Sequence, residues 1–176
     1  MTQAMGGKIQ LTPDPKLDLT FERLVDVRPE LVWMAWTTPS HLMKWFTPKP
    51  WKTVECEIDL RPGGRFYTVM ESPEGQRFPN VGSYLEVLPN ERLIWTNALL
   101  PGYRPIYTPG ACPGEAFSFT GVISLEPATV NGAKGTKYTA LVIHADEAGR
   151  NHHAARGFAE GWGAAFDQLV ESVRGM

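Results

Sequence analysis

The sequence has few cysteines and no long apolar run, and each shortage excludes a class of protein. Its 176 residues include only two cysteines, Cys56 and Cys112, whose separation fits neither a disulfide framework nor a zinc-ligand spacing. No segment approaches the roughly 18 apolar residues of a membrane-spanning helix, and residues 1–16 lack the basic and apolar regions of a secretory leader. We therefore expect a soluble cytoplasmic protein that needs no metal or other cofactor.

An excess of charge of one sign is also missing. The 17 basic and 19 acidic residues give a formal net charge of −2, and no block of like charge occurs. This balance argues against nucleic acid or an anionic membrane surface as a partner. A chain of this length can bury roughly two-thirds of its unfolded surface. We expect one domain over residues 17–176, preceded by a flexible tail at residues 1–16, where glycines and prolines accompany few apolar residues.

Alternation of apolar and polar residues predicts an antiparallel sheet through most of the chain. In residues 53–60 the alternation places Val54, Cys56, Ile58 and Leu60 on a buried face. Tight-turn residues such as Pro62-Gly63-Gly64 separate successive strands. The pattern predicts seven strands, at residues 17–27, 53–60, 65–71, 81–88, 92–97, 116–125 and 137–144.

Helical spacing appears in three places. Pro29 and Pro39 each occupy a position where a short helix can begin. Residues 149–174 read as one long amphipathic helix, and its apolar stripe is formed by Phe158, Trp162, Phe166, Leu169 and Val173. In this projection His153, Arg156 and Glu160 lie on the solvent side. The pattern predicts an α+β protein whose long C-terminal helix rests on the sheet, an arrangement that can enclose a ligand pocket.

A 17-residue segment, 98–114, interrupts the alternation with four prolines and three glycines. Connections of this length without secondary structure are uncommon unless they are lids, binding loops or disordered segments. The segment contains Tyr103, Ile106 and Tyr107, and aromatic residues in a disordered insertion would be left in water. We expect Tyr103 and Tyr107 to form a lid over the pocket or an arm that packs on a partner subunit. The alternative is an insertion that has no function.

An ordered set of short segments resembles a known family. The segments are Phe21, residues 29–33, Trp36, residues 38–40, 45–48, 57–64, 84–87, 91–96, 161–162 and 166–169. Together they resemble bacterial proteins related to the C-terminal domain of the heat-shock-90 ATPase activator, within the START or Bet v 1-like (SRPBCC) superfamily. The resemblance implies a helix-grip fold, in which a curved antiparallel sheet of six or seven strands holds the C-terminal helix and two short helices close one end. It leaves the activity open, because the superfamily includes lipid carriers, cyclases, aromatases, allergens and co-chaperone domains.

Aromatic residues are the candidates for a ligand pocket in such a fold. The helix face that meets the sheet carries Phe158 and Trp162, and three rings stand beside the short helices near the expected open end. For each residue, ordinary core packing is the alternative. The predicted ligand-binding residues are Trp45, Phe46, Trp51, Trp95, Phe117, Phe119, Phe158 and Trp162.

Candidates for catalysis are fewer. His144 and Asp146 share a strand face near the start of the C-terminal helix, and an imidazole beside a carboxylate can act as a general base. A turn or helix cap is the more common use of such a pair. Adjacent His152 and His153 point about 100° apart on a helix and cannot readily share a metal ion. We predict no metal site.

Three functions remain compatible with the sequence. The first is binding of a small hydrophobic or aromatic molecule, and the second is a cyclase, aromatase or hydrolase that acts on such a molecule. The third is an interaction module similar in role to the co-chaperone domain. We also expect a possible homodimer, formed through aromatic residues of the 98–114 segment or a sheet edge.

Overall fold

One seven-stranded antiparallel sheet forms the framework of the protein. The computed structural model describes residues 7–106, 118–174 and 176. The strand order in the sheet is β1-β9-β8-β5-β4-β3-β2. The bounds are β1 Asp18–Val25, β2 Lys52–Ile58, β3 Arg65–Glu71, β4 Arg77–Leu88, β5 Arg92–Thr96, β8 Phe119–Val130 and β9 Ala133–His144, with the two-residue strands β6 Leu99–Leu100 and β7 Arg104–Pro105 forming a separate hairpin.

The last two strands extend further than the alternation predicts. The alternation ends one strand at residue 125 and begins the next at residue 137, whereas β8 and β9 remain paired as far as Val130 and Ala133. Asn131 and Gly132 connect them, with φ angles of 50° and 78°. A two-residue Asn-Gly connection with both residues in the left-handed region is the preferred turn for a tight hairpin. The Asn131-Gly132 dipeptide was the sequence signal for this hairpin that the predicted strand bounds missed.

Strand β2 differs from its predicted pattern at both ends. Its pairing with β3 shifts between Thr53 and Glu55, as expected of a bulge. Thr53, which the alternation places on the face opposite Val54, is buried, and its hydroxyl lies 2.6 Å from that of Thr47. Leu60, predicted on the buried face, is exposed and follows the end of the strand. The bulge changes which side chains face the core at Thr53, whereas the prediction fails at Leu60 because the strand ends at Ile58.

The two predicted short helices are present, as α1 Pro29–Thr37 and α2 Pro39–Leu42, and each has proline at its start. Helix α1 buries Val32, Ala35 and Trp36 against the sheet side of the molecule. The indole N–H of Trp45 donates to the carbonyl of Ala35 at 3.1 Å, which ties the segment after α2 to α1. The two helices therefore form one aromatic corner of the core.

The C-terminal region is two helices, so the prediction of one helix over residues 149–174 was wrong. The helices are α3 Glu147–Ala155 and α4 Phe158–Val173. Gly157 lies between them with a φ of 84°, in the left-handed region that an α-helix cannot contain. Glycine enters this region without the steric penalty of a Cβ atom. Helix α4 therefore takes a direction of its own, and the residues of α3 do not continue its faces.

Helix α4 is held to the sheet mainly through its second half. Phe166, Leu169 and Val173 are buried in the core. The amide of Gln168 donates to the carbonyls of Trp45 and Thr47, each at 3.0 Å, and its oxygen accepts from the Lys49 amide at 2.9 Å. These contacts fasten α4 to the connection between α2 and β2. The α+β helix-grip prediction is confirmed.

The first described residues run beside the sheet. The carbonyl of Ile9 accepts a hydrogen bond of 2.7 Å from Arg92, a buried residue that also pairs with Glu86. Residues 1–6 lie outside the described part, and the flexible tail stays a prediction. No helix among the described residues is long and apolar enough to cross a bilayer.

Two glycines near the helix break provide opposite tests of backbone conformation. We expect Gly157→Ala to lower the free energy of unfolding by about 1–2 kcal/mol, because it places a Cβ in the left-handed region. Gly161→Ala should instead raise it by up to about 1 kcal/mol, since alanine is the better helix former and a Cβ added there would meet no heavy atom within 4 Å. Urea unfolding measures both changes. A stabilised Gly157→Ala variant would contradict the assignment of the break to this residue.

Candidate functional site

A cavity of about 680 Å³ lies between α4 and the concave side of the sheet. Its wall is rich in aromatic rings, which are contributed by the α1–α2 corner, by strands β3, β5, β8 and β9, and by α4. The aromatic lining residues are Trp36, Trp45, Phe46, Phe66, Trp95, Phe119, Tyr138, Phe158, Trp162 and Phe166. Pro79, Asn80 and Arg156 also line the cavity and are exposed, so they mark its rim.

The aromatic floor of the cavity centres on Trp95 in β5. Its ring centroid lies 5.2 Å from that of Trp36 and 5.7 Å from that of Phe66. Gly121 is its partner across β5 and β8, and a Cβ at that position would lie 2.7 Å from the indole. The glycine therefore makes room for the Trp95 ring to lie against the sheet.

The helical wall of the cavity is the first half of α4. Phe158, Gly161, Trp162 and Ala165 line it. At Gly161 the space that a side chain would occupy is open. A helix with glycine on its cavity face lets a bound molecule approach the backbone closely.

Six of the eight residues predicted to bind a ligand lie on this cavity, namely Trp45, Phe46, Trp95, Phe119, Phe158 and Trp162. Trp51 is not among the lining residues, and its ring packs on Phe78 with centroids 5.4 Å apart. Phe117 lies outside the described residues. Contact of the six with a ligand stays a prediction.

The hairpin of β6 and β7 occupies part of the segment predicted as a lid. Tyr103 lies in its turn, is 53% exposed, and packs its ring on Gly63 rather than on the cavity. The Gly102 amide donates to the Gly63 carbonyl at 2.9 Å, so the hairpin is fixed to the turn before β3. Tyr107 lies outside the described residues.

Two histidines meet at the α3 side of the cavity. The Nε2 atom of His144, on β9, lies 2.9 Å from Nδ1 of His153, on α3. The Nδ1 atom of His144 lies 3.0 Å from the Leu17 carbonyl oxygen. His144 is buried, whereas His153 lines the cavity next to the rings of Phe119 and Phe158, at centroid distances of 5.5 and 5.2 Å.

The Leu17 carbonyl fixes the proton positions of a neutral histidine pair. A carbonyl only accepts, so Nδ1 of His144 must donate to it. The remaining nitrogen of neutral His144 is then an acceptor, and Nδ1 of His153 donates to it. In neutral His153 this leaves Nε2 as the nitrogen with the lone pair.

Burial keeps both imidazoles neutral. It lowers the pKa of His153 to about 4, and electrostatic interactions with His144, His152 and Arg156 contribute to the lowering. Burial also lowers the pKa of His144, helped by Arg150 and opposed by the Leu17 carbonyl, Asp18 and Asp146. At neutral pH the pair is therefore a hydrogen-bond relay without net charge.

His144 and Asp146, predicted as a candidate catalytic pair, make separate contacts. Asp146 is the N-cap of α3, and its carboxylate accepts the Gly149 amide at 2.7 Å. His144 contacts His153, which the helical projection places on the solvent side. That placement was wrong because the projection continues one helix through Gly157. The glycine itself was the available signal, since Gly157 and Gly161 stand close together in the sequence.

Arg156 brings the one charged side chain among the described lining residues. The single-helix projection places it with Glu160 on the solvent side, but it is the C-cap of α3 while Glu160 belongs to α4. No aspartate or glutamate is present in that described lining. Among the described residues, no group of three His, Cys, Asp or Glu side chains is arranged to hold a metal ion.

Comparison with known proteins identifies relatives of the whole chain. A family model described as Activator of Hsp90 ATPase homolog 1-like protein matches residues 26–174. A crystal structure of a Nitrosomonas europaea protein is 45% identical, with a TM-score of 0.82 over 93% of this chain and 97% of the other. A Rhodobacter sphaeroides structure is 25% identical, with a TM-score of 0.74 over 96% and 100%. No curated protein matches the chain.

The lowered pKa of His153 predicts a loss of stability in acid. Between the ordinary pKa of 6.5 and the folded value of about 4, the unfolded chain binds a proton that the folded chain does not. The free energy of unfolding should therefore fall as the pH is lowered through this window. We expect a shallower fall in His153→Phe, measured by urea unfolding at several pH values. Equal pH dependence in both proteins would contradict the assignment.

Proposed function

The chain belongs to the family of Activator of Hsp90 ATPase homolog 1-like proteins, and we propose that it binds a small hydrophobic or aromatic molecule in the cavity between α4 and the sheet. The cavity of about 680 Å³ carries this proposal. Its volume falls within the range of roughly 300–1,000 Å³ that is typical of small-molecule sites.

The composition of the wall supports an apolar ligand. Aromatic and other apolar residues outnumber the polar ones, among which are Thr68, Asn97 and His153. Apolar walls with a small number of polar groups are the usual arrangement of ligand sites, in which the polar groups orient the molecule. Planar rings such as Trp95, Phe119 and Trp162 offer flat faces to an aromatic ligand, which favours offset or edge-to-face contacts.

The packing around the cavity also supports binding. Side chains of this protein do not fill the space over Gly161. An interaction module that uses its outer surface has no need of such a space, so the cavity favours ligand binding over the co-chaperone alternative.

A substitution on α4 that fills part of the cavity tests the proposal. Fatty acids, flavonoids and polyketide-like aromatics are screened by thermal shift, followed by native mass spectrometry of the complex. A ligand at a hundredfold over its Kd should stabilise the protein by about 2.7 kcal/mol. Gly161→Leu should weaken its binding by at least about tenfold, because the side chain enters the open space that the ligand needs.

Ala164→Leu is the matched control, because Ala164 lies on the same helix and is exposed. It should bind the ligand as the unmodified protein does. Undiminished binding by Gly161→Leu would place the ligand elsewhere, and a screen without any stabilising compound would contradict the proposal. Recovery of the ligand with unchanged mass separates binding from turnover.

A further inference from the structure

Positive and negative charges are separated where α3 meets α4. Arg156 lines the cavity described above. A second cavity, of about 460 Å³, lies between α3, the start of α4 and the segment that leads into β1, and its charged lining residues are Asp14, Asp18, Arg150 and Glu160. Among the described lining residues, only Phe158 is common to the two cavities. In this part of the structure the acidic side chains therefore line the second cavity, and the described lining of the first has one charge, which is positive.

No carboxylate in the described part of the chain pairs with Arg156. The ion pairs of the described residues all join other side chains. In one continuous helix Arg156 and Glu160 would be four residues apart on the same face, the spacing of an ordinary surface ion pair. The left-handed Gly157 separates α3 from α4 and removes that spacing. The break therefore leaves the guanidinium free to pair with a group that is not part of these described residues.

The charge of Arg156 acts on the cavity itself. His153 also lines the cavity, and its pKa of about 4 is lowered mainly by burial, with a contribution from the electrostatic interaction with Arg156. A positive charge that disfavours an imidazolium at this end of the cavity favours an anion there.

We propose that Arg156 binds the carboxylate of the bound molecule at the rim, so that the preferred ligands are aromatic carboxylates whose rings lie among the aromatic residues of the cavity. This inference rests on the proposed function and adds to it a charge and an orientation for the ligand. Arg156 is then a residue that determines specificity.

The rim suits a carboxylate better than the interior does. Transfer of an ionised carboxylate from water to an apolar interior is costly unless the charge is paired. The rim, which Pro79, Asn80 and Arg156 mark, is exposed, so a carboxylate there keeps part of its hydration. A guanidinium can also donate two parallel hydrogen bonds to one carboxylate. The apolar part of the same molecule is then left to contact the rings of the wall.

Three probes that share one ring system and differ in charge test the proposal. 2-Naphthoate is an anion, 2-naphthamide is its neutral analogue of similar shape, and 2-naphthylmethylamine is a cation at neutral pH. By calorimetric titration at low salt we expect 2-naphthoate to bind roughly two- to fivefold more tightly than 2-naphthamide, as for an exposed ion pair. The amine should bind more weakly than the amide. Added salt should reduce the preference for 2-naphthoate, because it screens exposed charges.

Variants of the chain assign the preference to one residue. Arg156→Gln should bind 2-naphthamide as the unmodified protein does and lose the preference for 2-naphthoate, whereas Arg156→Lys should retain part of it. Lys134→Gln is the matched control, since it removes the same charge from an exposed residue of β9 that lines neither cavity. It should retain the preference. Gly161→Leu should weaken the binding of the acid and the amide alike, because it takes space from the ring.

Equal binding of 2-naphthoate and 2-naphthamide to the unmodified protein would overturn this inference and leave the proposed function standing. A preference that persists in Arg156→Gln would also overturn it, because another group would then bind the carboxylate. If neither the three probes nor unsubstituted naphthalene binds, the proposed function fails for this ring system and the inference falls with it.

Discussion

The attachment of α4 by its second half is the constraint on which the rest of the structure depends. Phe166, Leu169 and Val173 are buried in the core, and Gln168 bonds to three backbone groups of the α2–β2 connection. These contacts fix one end of the helix on a curved sheet. The first half, with Gly161 and Trp162, can then bound a space instead of filling it. The cavity is therefore a consequence of where the helix is fastened.

The break at Gly157 gives that cavity its polar end. A continuous helix would carry His153 and Arg156 around to the solvent side, as helical periodicity requires. Because the chain turns at a left-handed glycine, α3 leaves the line of α4 and places both residues against the cavity. Strand β9 supplies His144, and the Leu17 carbonyl sets its tautomer. The polar end of the cavity thus depends on contacts among three separate segments of the chain.

The fold is shared with the family and with the structural relatives. The residues that line the cavity decide which molecules it can hold. A superfamily with a common helix-grip framework can serve different ligands, because function resides in the site rather than in the fold. Here the framework carries an aromatic wall, one guanidinium at the rim and a neutral imidazole pair. These features, more than the topology, are what the proposal of an apolar or aromatic ligand rests on.

Local patterns in the sequence determined the seven strands, the two proline-initiated helices and the apolar stripe of the last helix. Periodicity also placed Phe158 and Trp162 on one helix face, whereas Trp95 was predicted to line the pocket on the strength of the fold that the resemblance implies. Only the tertiary structure decided that His153 reaches the cavity, that Trp51 packs on Phe78, and that β2 has a bulge at Thr53. Those outcomes depend on one glycine dihedral and on contacts between distant segments. A periodic pattern contains no information about either, since it assumes that each element continues unchanged.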